Sequence, residues 1–103
     1  ILQRYGELKK AEDFTRKAIE LNSKFEDAHY NLGNILKDFG RFDQAIFSYE
    51  NAIKLRKNFN EAKAGLGKVL MLQGKHNEGI KMLREGEGTI IFDYANQLPS
   101  LII

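Results

Sequence analysis

The sequence contains no cysteine and no tryptophan, and its single proline is Pro99, close to its end. The absence of cysteine excludes disulfide bridges, zinc sites with thiolate ligands and cysteine nucleophiles. No apolar run approaches the roughly 20 residues that a membrane-spanning helix needs. These absences leave a chain that an ordinary hydrophobic core must hold together.

An excess of charge of one sign is also lacking. The sequence has 16 Lys and Arg residues against 14 Asp and Glu residues, a net charge of +2, and the two signs interleave along the chain. Such a balance creates no long-range field that would attract nucleic acid or an anionic membrane. We therefore expect neither nucleic acid nor membrane as a partner. The lack of cysteine fits a reducing compartment, so we expect a cytoplasmic location.

What the sequence does contain is an internal repeat. When the sequence is shifted by 34 positions, Gly6, Gly40 and Gly74 fall in one column. Other matches at the same offset are Leu2 with Leu36 and Leu70, Leu32 with Leu66, Gly33 with Gly67, Phe25 with Phe59, and Ile46 with Ile80. A fixed period of this length is typical of helical-repeat solenoids.

Each repeat is predicted to form two amphipathic helices separated by a glycine. Between residues 28 and 39 the apolar residues recur at the helical spacing i, i+3, i+4 and i+7. Gly40 should end this helix, because glycine readily takes the left-handed conformation. Ser23 and Glu26 have the spacing of a capping box that opens the helix. The predicted helices lie near 8–21, 25–39, 42–55, 59–73 and 76–85, with a remnant turn at 1–5.

The middle repeat, residues 26–59, resembles the tetratricopeptide-repeat family. The positions that match the family pattern are His29, Leu32, Gly33, Leu36, Gly40, Ala45, Tyr49 and Ala52. His29 stands where the family has tryptophan, and Lys57 stands where it has proline; these departures concern helix ends more than the fold. The resemblance implies an all-α protein, a right-handed superhelical α-solenoid of antiparallel helix pairs, with about two and a half repeats in this chain.

This resemblance divides the chain into four parts. They are a partial first repeat at 1–25 (the end of its first helix and its second helix), a complete repeat at 26–59, a degenerate third repeat at 60–88, and a tail or linker at 89–103. In the third repeat Gly79 and Gly86 replace two alanines, and each interior glycine costs about 1 kcal/mol relative to alanine. We therefore expect its second helix to be short or frayed. The tail is rich in β-branched and aromatic residues, which predicts a non-helical or extended segment.

No set of residues has the pattern of a catalytic site. His29 and His76 each occupy a repeat column and have no cysteine nearby, so a packing role is favoured over metal binding. Gly65 and Gly67 do not form a phosphate loop, because no strand precedes them and no G-K-[ST] follows. We predict no catalytic residue, no metal site and no cofactor, so the chain is not expected to be an enzyme.

The resemblance also implies where a ligand would bind, because the first helix of each repeat in this family lines a concave groove. Carried over to this sequence, the groove-facing residues of the complete repeat are Asp27, Tyr30, Asn31, Asn34, Lys37 and Asp38. Those of the third repeat are Glu61, Ala64, Gly65, Lys68, Met71 and Leu72. Any one of these could simply be a polar residue facing solvent. As a set they combine apolar contact with oriented polar groups, as a peptide groove does.

A carboxylate clamp, which chaperone-binding members of the family use, is not predicted. Asn31 matches the asparagine of the second repeat in such clamps. Glu61 and Gly65 stand where the third repeat of a clamp carries its two cations.

Two functions of different classes are compatible with this sequence. The leading hypothesis is a protein–protein interaction scaffold that binds a peptide or helix in its groove. The alternative is the scaffold portion of a larger enzyme, of the glycosyltransferase or oxygenase type, whose catalytic domain is not in this chain. Self-association through exposed apolar ends is a further expectation: the two ends are Ile1, Leu2 and Tyr5, and the segment 89–94.

Overall fold

A computed structural model describes the backbone of residues 2–87 and the side chains of residues 4–86. Its helices are α1 (Leu2–Leu21), α2 (Glu26–Phe39), α3 (Phe42–Leu55), α4 (Asn60–Leu72) and α5 (His76–Glu87). Consecutive helices pack against each other, and residues 2–87 contain no strand. None of these helices is long and apolar enough to cross a membrane. The tail predicted at 89–103 lies outside the described residues.

The two turns that join the helices of a pair are built in the same way. Gly40 has a φ of 82° and Gly74 a φ of 85°, both in the left-handed region. The Gly40 N–H donates to the Lys37 carbonyl at 2.9 Å, and the Gly74 N–H donates to the Met71 carbonyl at 3.0 Å. These bonds satisfy carbonyl groups that the helix end leaves free. The prediction that Gly40 ends the first helix of its repeat is confirmed.

Gly6, the third glycine of that column, does not end a helix. Helix α1 runs without a break from Leu2 to Leu21, so the prediction of a separate turn at 1–5 is wrong. Among the glycines of the described residues, only Gly40 and Gly74 have positive φ. Glycine permits both conformations, and no contact among the described residues holds Gly6 in a turn, so the helical hydrogen bonds continue through it. The boundaries of the first repeat stay a prediction.

Helix α2 begins without a side-chain cap. Its N-cap residue is Phe25, which makes no capping hydrogen bond through its side chain. The carbonyl of Ser23 accepts a hydrogen bond from His29 Nε2 at 2.9 Å. The predicted capping box of Ser23 and Glu26 is therefore wrong. Acidic side chains at Glu26 and Asp27 still favour the helix start, because they lie at the positive end of the helix dipole.

The hydrophobic core lies among α2, α3 and α4. Its largest fully buried side chains are Tyr49, Leu36 and Val69. Ala45 and Ala52 are also completely buried on α3. Their small side chains allow the neighbouring helices to approach α3 closely at these positions.

Helices α4 and α5 pack against each other through glycines. A Cβ atom at Gly79 would lie 2.8 Å from the Gly67 carbonyl oxygen, and one at Gly86 would lie 2.6 Å from the Asn60 carbonyl oxygen. Backbone atoms cannot move aside as a flexible side chain can, so both positions require glycine at this helix separation. The expectation of a short or frayed helix is wrong, because α5 is a continuous helix of 12 residues. Close packing on α4 compensates for the low helix propensity of glycine.

Helix α1 joins the core through a buried carboxylate. Glu12 is only 2% exposed, although its repeat column is occupied by Ile46 and Ile80 in the other repeats. Its Oε2 atom accepts hydrogen bonds from Arg16 Nε at 2.9 Å and from Arg41 Nη1 at 3.0 Å. Because Arg41 is the N-cap residue of α3, this ion pair connects α1 to the next helix pair, α2 and α3.

Candidate functional site: a cleft between the first helices of two repeats

Five of the predicted groove residues lie around one cleft. Lys37 and Asp38 come from the last turn of α2, and Lys68, Met71 and Leu72 come from α4. The volume of this cleft is about 620 Å³. Pockets that bind small ligands or side chains have volumes of roughly 300–1,000 Å³. We call this site the front cleft.

Two further residues line the front cleft that the sequence analysis did not assign to it. They are Phe42 and His76, near the first positions of α3 and α5. Each follows the turn glycine by two residues, and the turn places it beside the end of the preceding first helix. The repeat column that Phe42 and His76 share is the signal in the sequence for this position, although a residue in that column is also compatible with packing. His76 is exposed, so the packing role that was predicted for it is wrong.

The electrostatics of the front cleft are dominated by two lysines. Asp38 Oδ2 lies 3.9 Å from Arg4 Nη2, and both side chains are largely exposed, so this ion pair is weak. Among the side chains of residues 4–86, Lys37 and Lys68 form no ion pair. The front cleft therefore presents two cations beside the apolar surface of Met71 and Leu72.

Asn34 lies one helical turn from Lys37 and Asp38, on the same face of α2. The hydroxyl of Tyr49 donates a hydrogen bond to Asn34 Oδ1. Tyr49 reaches this position from α3 because Gly33 and Gly65 carry no side chain: a Cβ at either glycine would lie 2.7 Å from its ring. Burial raises the pKa of Tyr49, with smaller contributions from Tyr30 and Asp38, so its hydroxyl stays protonated and acts as a donor.

Near the start of α2, the predicted groove residue Tyr30 belongs to an aromatic cluster. The Tyr30 ring packs against Phe59 at 5.1 Å and against Tyr49 at 6.1 Å between ring centroids. The guanidinium of Arg56 covers Phe59 at 3.8 Å from the ring centre, and its Nη2 lies 4.0 Å from Asp27 Oδ1. Tyr30 therefore packs α2 against the turn before α4, whereas the exposed Asp27 makes only a weak ion pair there.

The remaining predicted groove residues are not brought into the front cleft. Asn31 and Glu61 are exposed on α2 and α4, and neither lines the front cleft. Gly65 is buried against Tyr49. Among residues 2–87, no three His, Cys, Asp or Glu side chains lie together as candidate metal ligands.

This arrangement of successive antiparallel helix pairs defines an α-solenoid, in which each repeat packs on its neighbours. Residues 26–59 match the model of the tetratricopeptide repeat. The chain therefore contains a tetratricopeptide repeat at residues 26–59, as the resemblance of its sequence predicts. Comparison with curated protein sequences gave no match.

Solved structures of MamA have the same fold. One crystal structure of MamA is 31% identical, with a TM-score of 0.74 over 79% of this chain and 47% of that chain. A second is 26% identical, with a TM-score of 0.74 over 94% of this chain and 50% of that chain. MamA MSR-1 is 25% identical, with a TM-score of 0.73 over 82% of this chain and 48% of that chain. This chain thus spans about half the length of the MamA structures it matches.

Tetratricopeptide-repeat solenoids are protein-interaction scaffolds in general. The family match and the MamA structures support this class of function for the chain.

Proposed function

We propose that the chain binds a segment of a protein partner, as an extended peptide or a helix, in the front cleft, and that it performs no catalysis of its own. The observation that carries this proposal is the exposure of Leu72, 61% of whose surface is open to solvent beside two lysines. When a partner covers an apolar side chain that is exposed in a concave site, the free energy of the complex is lowered, and binding is favoured.

The chemistry of the lining specifies the kind of segment that fits. Met71, Leu72 and Phe42 provide an apolar surface that one large side chain of the ligand can contact. Lys37 and Lys68 favour a carboxylate next to that side chain. The two ammonium groups are exposed, so they can attract an acidic group and still keep part of their hydration. The ligand motif that we propose is therefore an apolar residue followed or preceded by Asp or Glu.

Asn34 supplies orientation in this proposal. Its carboxamide oxygen accepts the hydrogen bond from Tyr49, so its NH₂ group is the part that can face a ligand. An NH₂ group held in this way can donate to a backbone carbonyl of the bound segment. This contact would help to fix the register of the segment without depending on its side chains.

Selection from a random peptide library followed by titration of the enriched peptides tests the proposal. We expect the selected peptides to share an apolar residue adjacent to Asp or Glu. Lys68→Glu and Leu72→Glu should each weaken their binding by roughly tenfold, which corresponds to about 1.4 kcal/mol. Lys54→Glu, an exposed change on α3 outside the front cleft, is the matched control and should leave binding unchanged. Equal effects of all three variants would refute the front cleft as the binding site.

Tyr30 is a poor probe of this site. Its ring packs on Phe59 and Tyr49, so Tyr30→Ala would lower the stability of the fold as well as any affinity. A loss of binding in that variant would not distinguish the two causes. Leu72 and Lys68 are better choices because both side chains are exposed.

The alternative function, the scaffold portion of a larger enzyme of the glycosyltransferase or oxygenase type, stays a hypothesis. No specific observation among residues 2–87 favours it. The sequence of the complete reading frame decides between the two, because an adjoining catalytic domain would be evident there.

A further inference from the structure

A second cleft lies on the opposite side of α2 from the front cleft. It has a volume of about 420 Å³ and is enclosed by α1, α2 and α3. Leu32 and Leu36 form its floor. At about 3.6 residues per turn these leucines point roughly opposite to Asn34 and Lys37. We call this site the rear cleft.

The rear cleft exists because two helices stay apart and one side chain is small. Nowhere in residues 2–87 do the Cα atoms of α1 and α3 come within 8 Å of each other. Ser48, on the α3 wall, is 3% exposed and shares its repeat column with Phe14 and Met82. Met82 packs against the core in its own repeat. A serine at this position leaves unfilled the volume that a longer side chain would take.

The lining of the rear cleft combines an apolar floor with a polar rim. Leu32 and Leu36 are 5% and 1% exposed, and Ile19 of α1 packs against the same core. Phe47 stands at the edge of the cleft with 65% of its surface open to solvent. The rim residues are Arg16 on the α1 wall, His29 on α2, and Asp43, Gln44 and Asn51 on the α3 wall.

The shape of the rear cleft favours a helix as its occupant. On α3 its lining extends from Asp43 to Asn51, which spans roughly 12 Å at 1.5 Å per residue. A trough of two helical turns between two helices accepts apolar side chains at i and i+4 of a third helix. The two walls differ in charge. Arg16, whose Nε donates to Glu12 but whose side chain is 49% exposed, stands on one side, and Asp43, which accepts a hydrogen bond from Gln73, stands on the other. A complementary helix carries acidic residues on the flank facing α1 and basic residues on the flank facing α3.

We propose that the rear cleft is a second protein-docking site, which takes an amphipathic helix of a partner with Leu, Met or Phe at i and i+4. The large apolar side chains enter beside Ser48 and cover the exposed ring of Phe47. Gln44 and Asn51 meet the polar flank of the helix at the rim. With a second site, the scaffold can hold two different segments at once, one on each side of α2.

A labelled synthetic helix tests this proposal. The probe is an amphipathic peptide of about 16 residues, roughly four turns, with leucines at i and i+4, glutamates on one flank and lysines on the other. Its binding is followed by fluorescence anisotropy. Ser48→Met should weaken binding by at least about tenfold. The methionine side chain would fill the volume that an apolar side chain of the peptide otherwise occupies. Ser48→Ala keeps the cleft open and should bind like the wild type.

Two further comparisons make the test specific. Phe47→Ala removes an exposed ring without disturbing the core, and should weaken binding even if Ser48→Met proves unstable in thermal melting. A peptide with its acidic and basic flanks exchanged should bind several times more weakly. Leu72→Glu, in the front cleft, should have no effect on binding of this peptide. The proposals for the two clefts can therefore be refuted independently of each other.

Three results would overturn the proposal. They are the absence of binding by either peptide at up to millimolar protein concentration, equal affinity for the wild type and Ser48→Met, and loss of binding in Leu72→Glu with none in Ser48→Met. The last result would place the peptide in the front cleft instead.

Discussion

At the scale of single residues, Tyr49 is the side chain that organises the array. It is fully buried on α3, and its ring lies against Gly33 of α2 and Gly65 of α4. Its hydroxyl bonds to Asn34. One residue thereby connects three helices and also orients a polar group beside the front cleft, so changes at Tyr49 should affect both stability and ligand binding.

Replacement of Tyr49 by Phe should lower the free energy of unfolding by about 1 kcal/mol, the net value of a typical hydrogen bond. Asn34→Ala alone should cost a similar amount, because the buried hydroxyl then loses its acceptor. The double variant should cost clearly less than the sum of the two, since both changes remove the same bond. Urea unfolding of the four proteins measures this. Strict additivity would show that the two groups do not interact.

Glu12 gives the fold a dependence on pH. Burial alone would raise the pKa of Glu12, but the hydrogen bond from Arg16 and the charges of Arg41, Arg16 and Lys9 outweigh it, so the pKa lies below the ordinary 4.5. A carboxyl whose pKa is lower in the folded state stabilises the fold above the unfolded pKa. This contribution is lost as the pH falls through the folded pKa.

Glu12→Gln should therefore be less stable than the wild type near neutral pH, by about 1–3 kcal/mol, because charge-assisted bonds are replaced by neutral ones. The difference between the two proteins should shrink as the pH is lowered below 4.5, the ordinary pKa of the side chain. Glu12→Ile, which restores the residue type of its column, should cost less than Glu12→Gln, since Arg16 and Arg41 can return to solvent. Urea unfolding at several pH values checks this, and a difference independent of pH would contradict it.

At the scale of helices, the glycines of α5 are contact points and not weaknesses. Helix propensity by itself predicts that alanine at Gly79 would stabilise α5 by about 1 kcal/mol. The Gly67 carbonyl oxygen, 2.8 Å from the position of that Cβ, predicts the opposite. The outcome therefore shows which effect dominates, local propensity or helix packing.

We expect Gly79→Ala to lower the melting temperature, because α5 would have to move away from α4. Gly6→Ala is the matched control: Gly6 lies within α1, is exposed, and a Cβ there would meet nothing within 4 Å. This control should raise stability by roughly 0.5–1 kcal/mol. A destabilised Gly6→Ala would indicate that Gly6 forms a left-handed turn, as Gly40 and Gly74 do. A stabilised Gly79→Ala would contradict the close packing of α4 on α5.

At the scale of the whole molecule, the apolar side chains of the described helices are buried to different extents along the array. On α1, Phe14 and Leu21 are each 78% exposed. The core residues Ala45, Tyr49 and Ala52 of α3 are, in contrast, fully buried. Phe25 of the first turn is 43% exposed, whereas its repeat equivalent Phe59 is 3% exposed under Tyr30 and Arg56. The outer surface of α1 is thus the apolar end of this part of the solenoid, which is the kind of surface that self-associates.

Sedimentation at increasing concentration should show self-association of this chain, and Phe14→Lys with Leu21→Lys should reduce it without lowering the melting temperature. The expected contribution of segment 89–94 lies outside the described residues and stays a prediction. Deletion of residues 89–103 tests it in the same experiment. A monomer at all concentrations would refute association through either end.

Parts of the candidate site could be predicted from the sequence, and parts could not. The resemblance to the family implies that Lys68, Met71 and Leu72 lie on the groove side of their helix, and all three line the front cleft. The same resemblance implies a groove position for Tyr30, but Tyr30 packs inward, because Phe59 on the following turn offers it an aromatic partner. The rear cleft had no signal in the sequence beyond the small Ser48 in a column of larger residues.

The amino-acid sequence by itself determined the repeat period, the alternation of two helices, and the turns at Gly40 and Gly74, because these depend on local spacing and on backbone freedom at one residue. Only the tertiary structure decided which other glycines are helical positions, as at Gly6, or close contacts, as at Gly79, and not turns. The physical reason is that glycine permits all three at small cost. The atoms of the neighbouring helix then select among them.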